Sequence, residues 1–332
     1  MILLNSHKPE VPYSPNLNFK CEYDENHYID RLYIYWDITT KCNFKCSYCY
    51  ARSQYKNTLE NVRLAEKFLV IDTISRSTHP VFLGLMGGEP TIDENFIKIV
   101  EKCQHKILNT NKNSRLYITT NGFSKKLLNV PFSNQIYFLF SIHLEHKKQY
   151  TTKNDFDVVL NNILYLQNKG FKVKVNILLL PDKKYWNDID FLVQWCIKNN
   201  VMYHPHFIYS SINHKDVLYD YEDEFYEHFK ELTKTKYKYI FETDKFHIKV
   251  SDYDMFKYQL NNFKGWKCYN NNFEIKISND GYLIHRLCDT KTFKLNTNFN
   301  YFKNFKIKPM ICKYDTCNSD GVLKCLKVRK MN

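Results

Sequence analysis

The stretch RLYIYWDITTKCNFKCSYCY, Arg31 to Tyr50, decides how this chain is read. Its first half is a near-continuous run of aromatic and aliphatic residues, which predicts a buried strand over 32–40. Its second half places Cys42, Cys46 and Cys49 within eight residues, spaced C-x3-C-x2-C. Zinc usually takes two Cys pairs, or a Cys pair and a His pair, to complete a tetrahedron. No His or fourth Cys lies nearby in the sequence here. Three thiols in one loop suit a cubane iron–sulfur cluster whose fourth iron has no protein ligand and can take a substrate or cofactor. Tyr48, just before the last cysteine, would set an aromatic ring against whatever binds there.

Downstream of this stretch, strand-like and helix-like segments alternate. Strands are predicted over 81–88, 115–122, 135–144, 172–180 and 202–209, the last weakened by Pro205. Helices are predicted over 59–74, 94–107, 156–170, 188–200 and 222–234, with a short helix at SKKLLN. In the 156–170 helix, Phe156, Val159, Leu160, Ile163 and Leu166 form the buried stripe and Gly170 suits the C-terminal cap. Apolar strands alternating with amphipathic helices imply βαβ units around a parallel sheet, either an open doubly wound sheet or a partial barrel. In both, functional residues belong at the strand C-terminal ends. The chemistry-bearing segments sit there: the cysteines after the first strand, GGEP after the second, TTNG after the third and SIH after the fourth. The expected organisation is an extension over 1–30, a core over 31–240 and a cysteine-rich region over 241–332.

The chain has 332 residues and 44% hydrophobic content, which excludes wholesale disorder and suffices for a large core. Its longest apolar runs fall far short of the roughly 20 residues a bilayer span needs. The first residues, MILLNSHKPEVP, lack a basic segment leading into an apolar one, so no secretory signal and a cytoplasmic location are expected. In a reducing compartment, eleven cysteines argue for metal or redox chemistry over disulfides. The net charge of +13 is spread over single lysines, as an AT-rich genome would encode. It leaves nucleic acid an unsupported partner.

C-x3-C-x-aromatic-C after the first strand, with MGGEP (Met86–Pro90) at the end of the second, resembles the radical S-adenosylmethionine (SAM) superfamily. The resemblance covers about residues 30–235 and implies a partial (β/α)6 parallel barrel. It implies that Cys42, Cys46 and Cys49 hold a [4Fe–4S] cluster that binds SAM, with Gly87, Gly88, Glu89 and Pro90 beside the amino group of SAM. Glycines let backbone approach a ligand closely, and a carboxylate suits an ammonium. Tyr48, Thr119, Asn121, Ser141 and His143 are the further cofactor-side candidates, with Asn176 as a possible polar contact. The implied chemistry is reductive cleavage of SAM to a 5′-deoxyadenosyl radical that takes hydrogen from a substrate, with flavodoxin or ferredoxin as electron donor. The glycine-containing motif that many members carry on the fifth strand is absent from VNILLLP.

After about residue 245 helical periodicity fades and Cys268, Cys288, Cys312, Cys317 and Cys325 follow. Cys268, the glycine at 281 and Cys288 resemble the start of the SPASM and Twitch extensions of the superfamily. Six residues separate Gly281 from Cys288, where the SPASM pattern usually has four. The expectation is one auxiliary [4Fe–4S] cluster on Cys268, Cys288, Cys312 and Cys317, with Cys325 as the alternate; a zinc knuckle is the competing reading. Cys103 and Cys196 fall on apolar helical stripes and read as core thiols, and Cys21 as a bystander. His146, His204 and His206 follow or occupy strand ends and could face the cavity. Such extensions imply a peptide or protein side chain as substrate. A small molecule or nucleotide is the alternative, and a nucleic acid ranks last.

Overall fold

The computed structural model describes residues 31–49, 62–146, 153–208, 211–212, 215–216, 221–234, 237–243, 247–251, 264–268, 275–284, 292–295, 300–306, 310–313 and 327–329. Six strands form in chain order: β1 (Leu32–Thr39), β2 (Val81–Gly87), β3 (Arg115–Thr120), β4 (Ile136–Ile142), β5 (Lys172–Leu179) and β6 (Met202–Phe207). They lie side by side in that order, and each adjacent pair is parallel. Helices α1 (Leu64–Ile74), α2 (Phe96–Cys103), α3 (Lys153–Asn168) and α4 (Trp186–Lys198) fill four of the crossovers. The β3–β4 connection instead carries a 3-10 turn, Lys125–Asn129, where SKKLLN was expected to be helical. This is the βαβ arrangement of a partial barrel.

Strand alternation splits the sheet into two environments. Leu83, Leu85, Leu116, Ile118, Phe138, Phe140 and Ile177 are fully buried. They share one core with Phe96, Ile99, Val100, Cys103, Ile163 and Cys196 of the helices, so the two thiols are core residues as expected. The intervening residues Tyr117, Thr119, Leu139, Ser141, Lys174, Asn176 and His204 are only partly buried. They mark an inner face that the helices leave uncovered.

Several ends differ from the sequence reading. The 94–107 helix closes in a wider π-type turn over Gln104–Leu108. The 222–234 segment is two helices, Asp223–His228 and Lys230–Lys234, interrupted at Phe229. Gly170 does cap α3: at φ +87° its N–H donates to Gln167 O, and Phe171 N–H to Leu166 O.

The C-terminal quarter adds strands to the core sheet. Ile275–Ile277 pairs parallel with the outer edge of β1, Ile34 opposite Ile275 and Tyr35 opposite Lys276. Tyr282–Ile284 and Thr292–Lys294 extend that edge antiparallel, giving nine strands. A second, five-stranded sheet contains Lys267–Cys268 between Met310–Ile311 and Lys327–Arg329.

Candidate functional site

The site grows from the end of β1. Gly88 N–H donates to Thr39 O at 3.0 Å, and Glu89 N–H donates to Lys41 O at 2.8 Å. These bonds sew the end of β2 to the start of the cysteine loop. The two glycines make the seam feasible. A Cβ on Gly87, which sits at φ +138°, would lie 2.1 Å from Thr39 O. One on Gly88 would lie 2.1 Å from Lys41 O and 2.9 Å from Cys42 Cβ. The close approach expected toward a ligand is thus, in the first instance, an approach of backbone to backbone.

Glu89 then ties the β2 end to β3. One carboxylate oxygen accepts from Thr91 N–H (3.1 Å), Thr91 hydroxyl (2.6 Å) and Thr120 hydroxyl (2.8 Å). The other accepts from Asn121 N–H at 2.7 Å. Burial raises its pKa, and the four donors oppose that rise. Pro90 opens a 3-10 turn that Glu89 caps. Asn121 continues the chain of contacts by donating from its side chain to Asn43 of the cysteine loop, 2.8 Å away.

The far side of the loop is clamped by the segment after β4. Ser47 N–H donates to Glu145 at 2.9 Å. His143 Nδ1 lies 2.9 Å from the Tyr48 hydroxyl and 3.4 Å from Cys46 Sγ. The rings of Tyr48 and His143 stack, and Phe44 meets His143 edge-on. Tyr48 therefore packs on protein as well as bordering the thiols.

Cys42 is exposed, Cys49 half-buried and Cys46 buried. Burial pushes the Cys46 thiol up to about 12, and the nearby Cys49, Cys42 and Glu145 add to the rise while the Tyr48 hydrogen bond lowers it. That mutual influence places the three thiols within electrostatic reach of one another. Among the described residues no three His, Cys, Asp or Glu side chains are already gathered around a metal-sized point. The donor set nevertheless fits a cluster: three thiols on one clamped loop, with a soft all-sulfur character.

Thr119 and Ser141 point from β3 and β4 toward the inner face. Ser141 is in register with Asn176 of β5, and Asn176 with His204 of β6. His206 lies on the same face, its ring 6.3 Å from that of His204. The side chain of His146 lies outside the described residues. Asp37, Asn43, Glu145 and Lys276 were missed from the sequence. Asp37 could have been found, as the single charge inside an otherwise apolar strand.

In the C-terminal region, Cys268 is buried and pairs across the sheet with Met310. Gly265 N–H donates to Cys312 O and Cys312 N–H to Trp266 O, so two residues face one across a bulge. Strand alternation puts Cys268 and Cys312 on one face of this pair. Cys288, Cys317, Cys325 and Cys21 lie outside the described residues. No helix among the described residues is long and apolar enough to cross a membrane.

Residues 36–195 match the family model of the radical SAM superfamily. Fe-coproporphyrin III synthase of Methanosarcina barkeri is 29% identical over 146 residues, 42% of this chain and 35% of that protein. GTP 3′,8-cyclase of Haemophilus influenzae is 30% identical over 173 residues, 48% of this chain and 47% of that protein. The aligned part is thus about half the length, or less, of these relatives. In fold the chain is similar to Streptococcus suis SuiB bound to S-adenosylmethionine, at a TM-score of 0.52 and 16% identity over 83% of this chain and 68% of that one. It is also similar to AdoMet-bound anSMEcpe, at a TM-score of 0.54 and 13% identity over 83% and 80% of the two chains.

Proposed function

We propose, on the match of residues 36–195 to the radical SAM family model, that the chain is a radical SAM enzyme whose Cys42, Cys46 and Cys49 hold a SAM-binding [4Fe–4S] cluster. Held by Cys42, Cys46 and Cys49, such a cluster would supply the electron for reductive cleavage of SAM. The chain's own residues hold and shield that chemistry. Gly87, Gly88 and Glu89 fix the loop from one side, and His143 and Glu145 from the other. With its oxygens engaged by Thr91, Thr120 and Asn121, Glu89 acts as a strut, leaving the backbone around it to meet the amino group of SAM. Thr119, Ser141 and Asn176 line the face on which SAM and substrate would lie. The observation that carries the reading is the seam between GGEP and the cysteine loop, which joins two distant motifs into one site.

The substrate we favour is a peptide or protein side chain. The C-terminal cysteine set, resembling the extensions of peptide-modifying members, supports it, as does the uncovered inner face. We assign Cys268 and Cys312, on one face of their strand pair, to an auxiliary cluster completed by Cys288 and Cys317, with Cys325 as the alternate. A nucleotide is the second reading, favoured by the sequence similarity to GTP 3′,8-cyclase. A low-potential flavodoxin or ferredoxin would supply electrons.

Anaerobic reconstitution with iron and sulfide tests this. About four irons per chain means one cluster and about eight means two. The reduced protein is expected to form 5′-deoxyadenosine from SAM, and Cys46→Ala to form none. Equal product from Cys46→Ala and the parent rules the reading out.

A further inference from the structure

Asp37 stands on β1 with its side chain 3% exposed, and Lys276 Nζ lies 3.2 Å from its Oδ2. The lysine comes from the strand Ile275–Ile277, whose register sets it beside Tyr35. An unpaired buried carboxylate costs several kcal/mol, so a cation here has a clear energetic role. Position gives the pair a second consequence. Asp37 precedes Cys42 by five residues, at most about 18 Å of extended chain. Thr39, two residues on, is held against Gly88 at the root of the cysteine loop. A buried charge is screened less than an exposed one, and charges around a metal ligand set tune its potential.

We propose that Lys276, which the C-terminal region sets beside Asp37 on the strand leading into the cysteine loop, offsets the field of Asp37 at the loop cluster. This rests on the cluster reading above. Reduction adds negative charge. The Asp37 carboxylate without Lys276 therefore disfavours reduction, and the Lys276 ammonium without Asp37 favours it. The cluster-bearing loop and the C-terminal strands then form one electrostatic unit.

The test is an EPR-monitored redox titration of the anaerobically reconstituted chain, following the signal that added SAM perturbs. Lys276→Met is expected to lower the midpoint and Asp37→Asn to raise it. The double variant is expected to return toward the parent, and Lys276→Arg to match it. A purely structural pair would not give shifts of opposite sign that cancel. Should Lys276→Met fail to fold, Asp37→Asn and the double variant decide alone: the first must rise and the second must return. Shifts of one sign, or none, overturn the inference while leaving the cluster reading intact. A parent without a SAM-responsive cluster overturns both.

Discussion

At the scale of single residues, the site is organised by Glu89. Its four donors are two backbone N–H groups and two hydroxyls. Glu89→Gln replaces one acceptor oxygen with an NH2 group, setting two donors against each other at Asn121 or Thr91. The expected cost is about 1–3 kcal/mol, read as a lower midpoint in urea with an unchanged slope. An unaltered midpoint would show that the strut carries no weight. Gly88 is as exacting: Gly88→Ala puts a methyl group 2.1 Å from Lys41 O, so the seam must open. Reduced iron uptake by an otherwise folded variant is the expected result, and full uptake would count against the seam's role. The importance of these glycines was legible in the sequence because GGEP sits at a strand end. What they approach was not, since Thr39 and Lys41 lie some 50 residues upstream and only the register of β1 on β2 brings them there.

At the scale of elements, strands were easier to read than helix ends. Strand boundaries follow from alternation and burial, which the sequence carries directly. The 222–234 helix broke because Phe225, Tyr226 and Phe229 all turn into the core, an outcome settled by packing rather than by helical periodicity. Tyr221 shows a similar tertiary control at the sheet edge. Its hydroxyl donates to Leu179 O at 2.8 Å and accepts from Ile208 N–H at 2.9 Å, joining the ends of β5 and β6. Tyr221→Phe removes both bonds and leaves two buried backbone groups without them. A loss of about 1–3 kcal/mol is expected, with amide exchange quickening first at Ile208. Exchange unchanged at that amide would contradict this role.

At the scale of the whole molecule, the motifs pointed to the barrel and to the cysteine loop after its first strand, but not to how the last quarter joins it. The segment after residue 245 lacks a helical period and has short strands with mixed partners, so its pairing is set by the sheet edge it meets rather than by its own pattern. That edge is β1. Thr39 and Lys41 tie it to β2 on one side, and Ile275–Ile277 covers the other.

The pairing of Ile34 with Ile275 spans 241 residues of chain. During synthesis, at about 5–20 residues per second, β1 would wait roughly 12–48 s with one edge open. Asp37 would wait as long for Lys276. The strand that opens the core and leads into its cysteines is therefore among the last to be sealed, and a ribosome that stalled before residue 275 would leave an adhesive edge beside the cysteine loop.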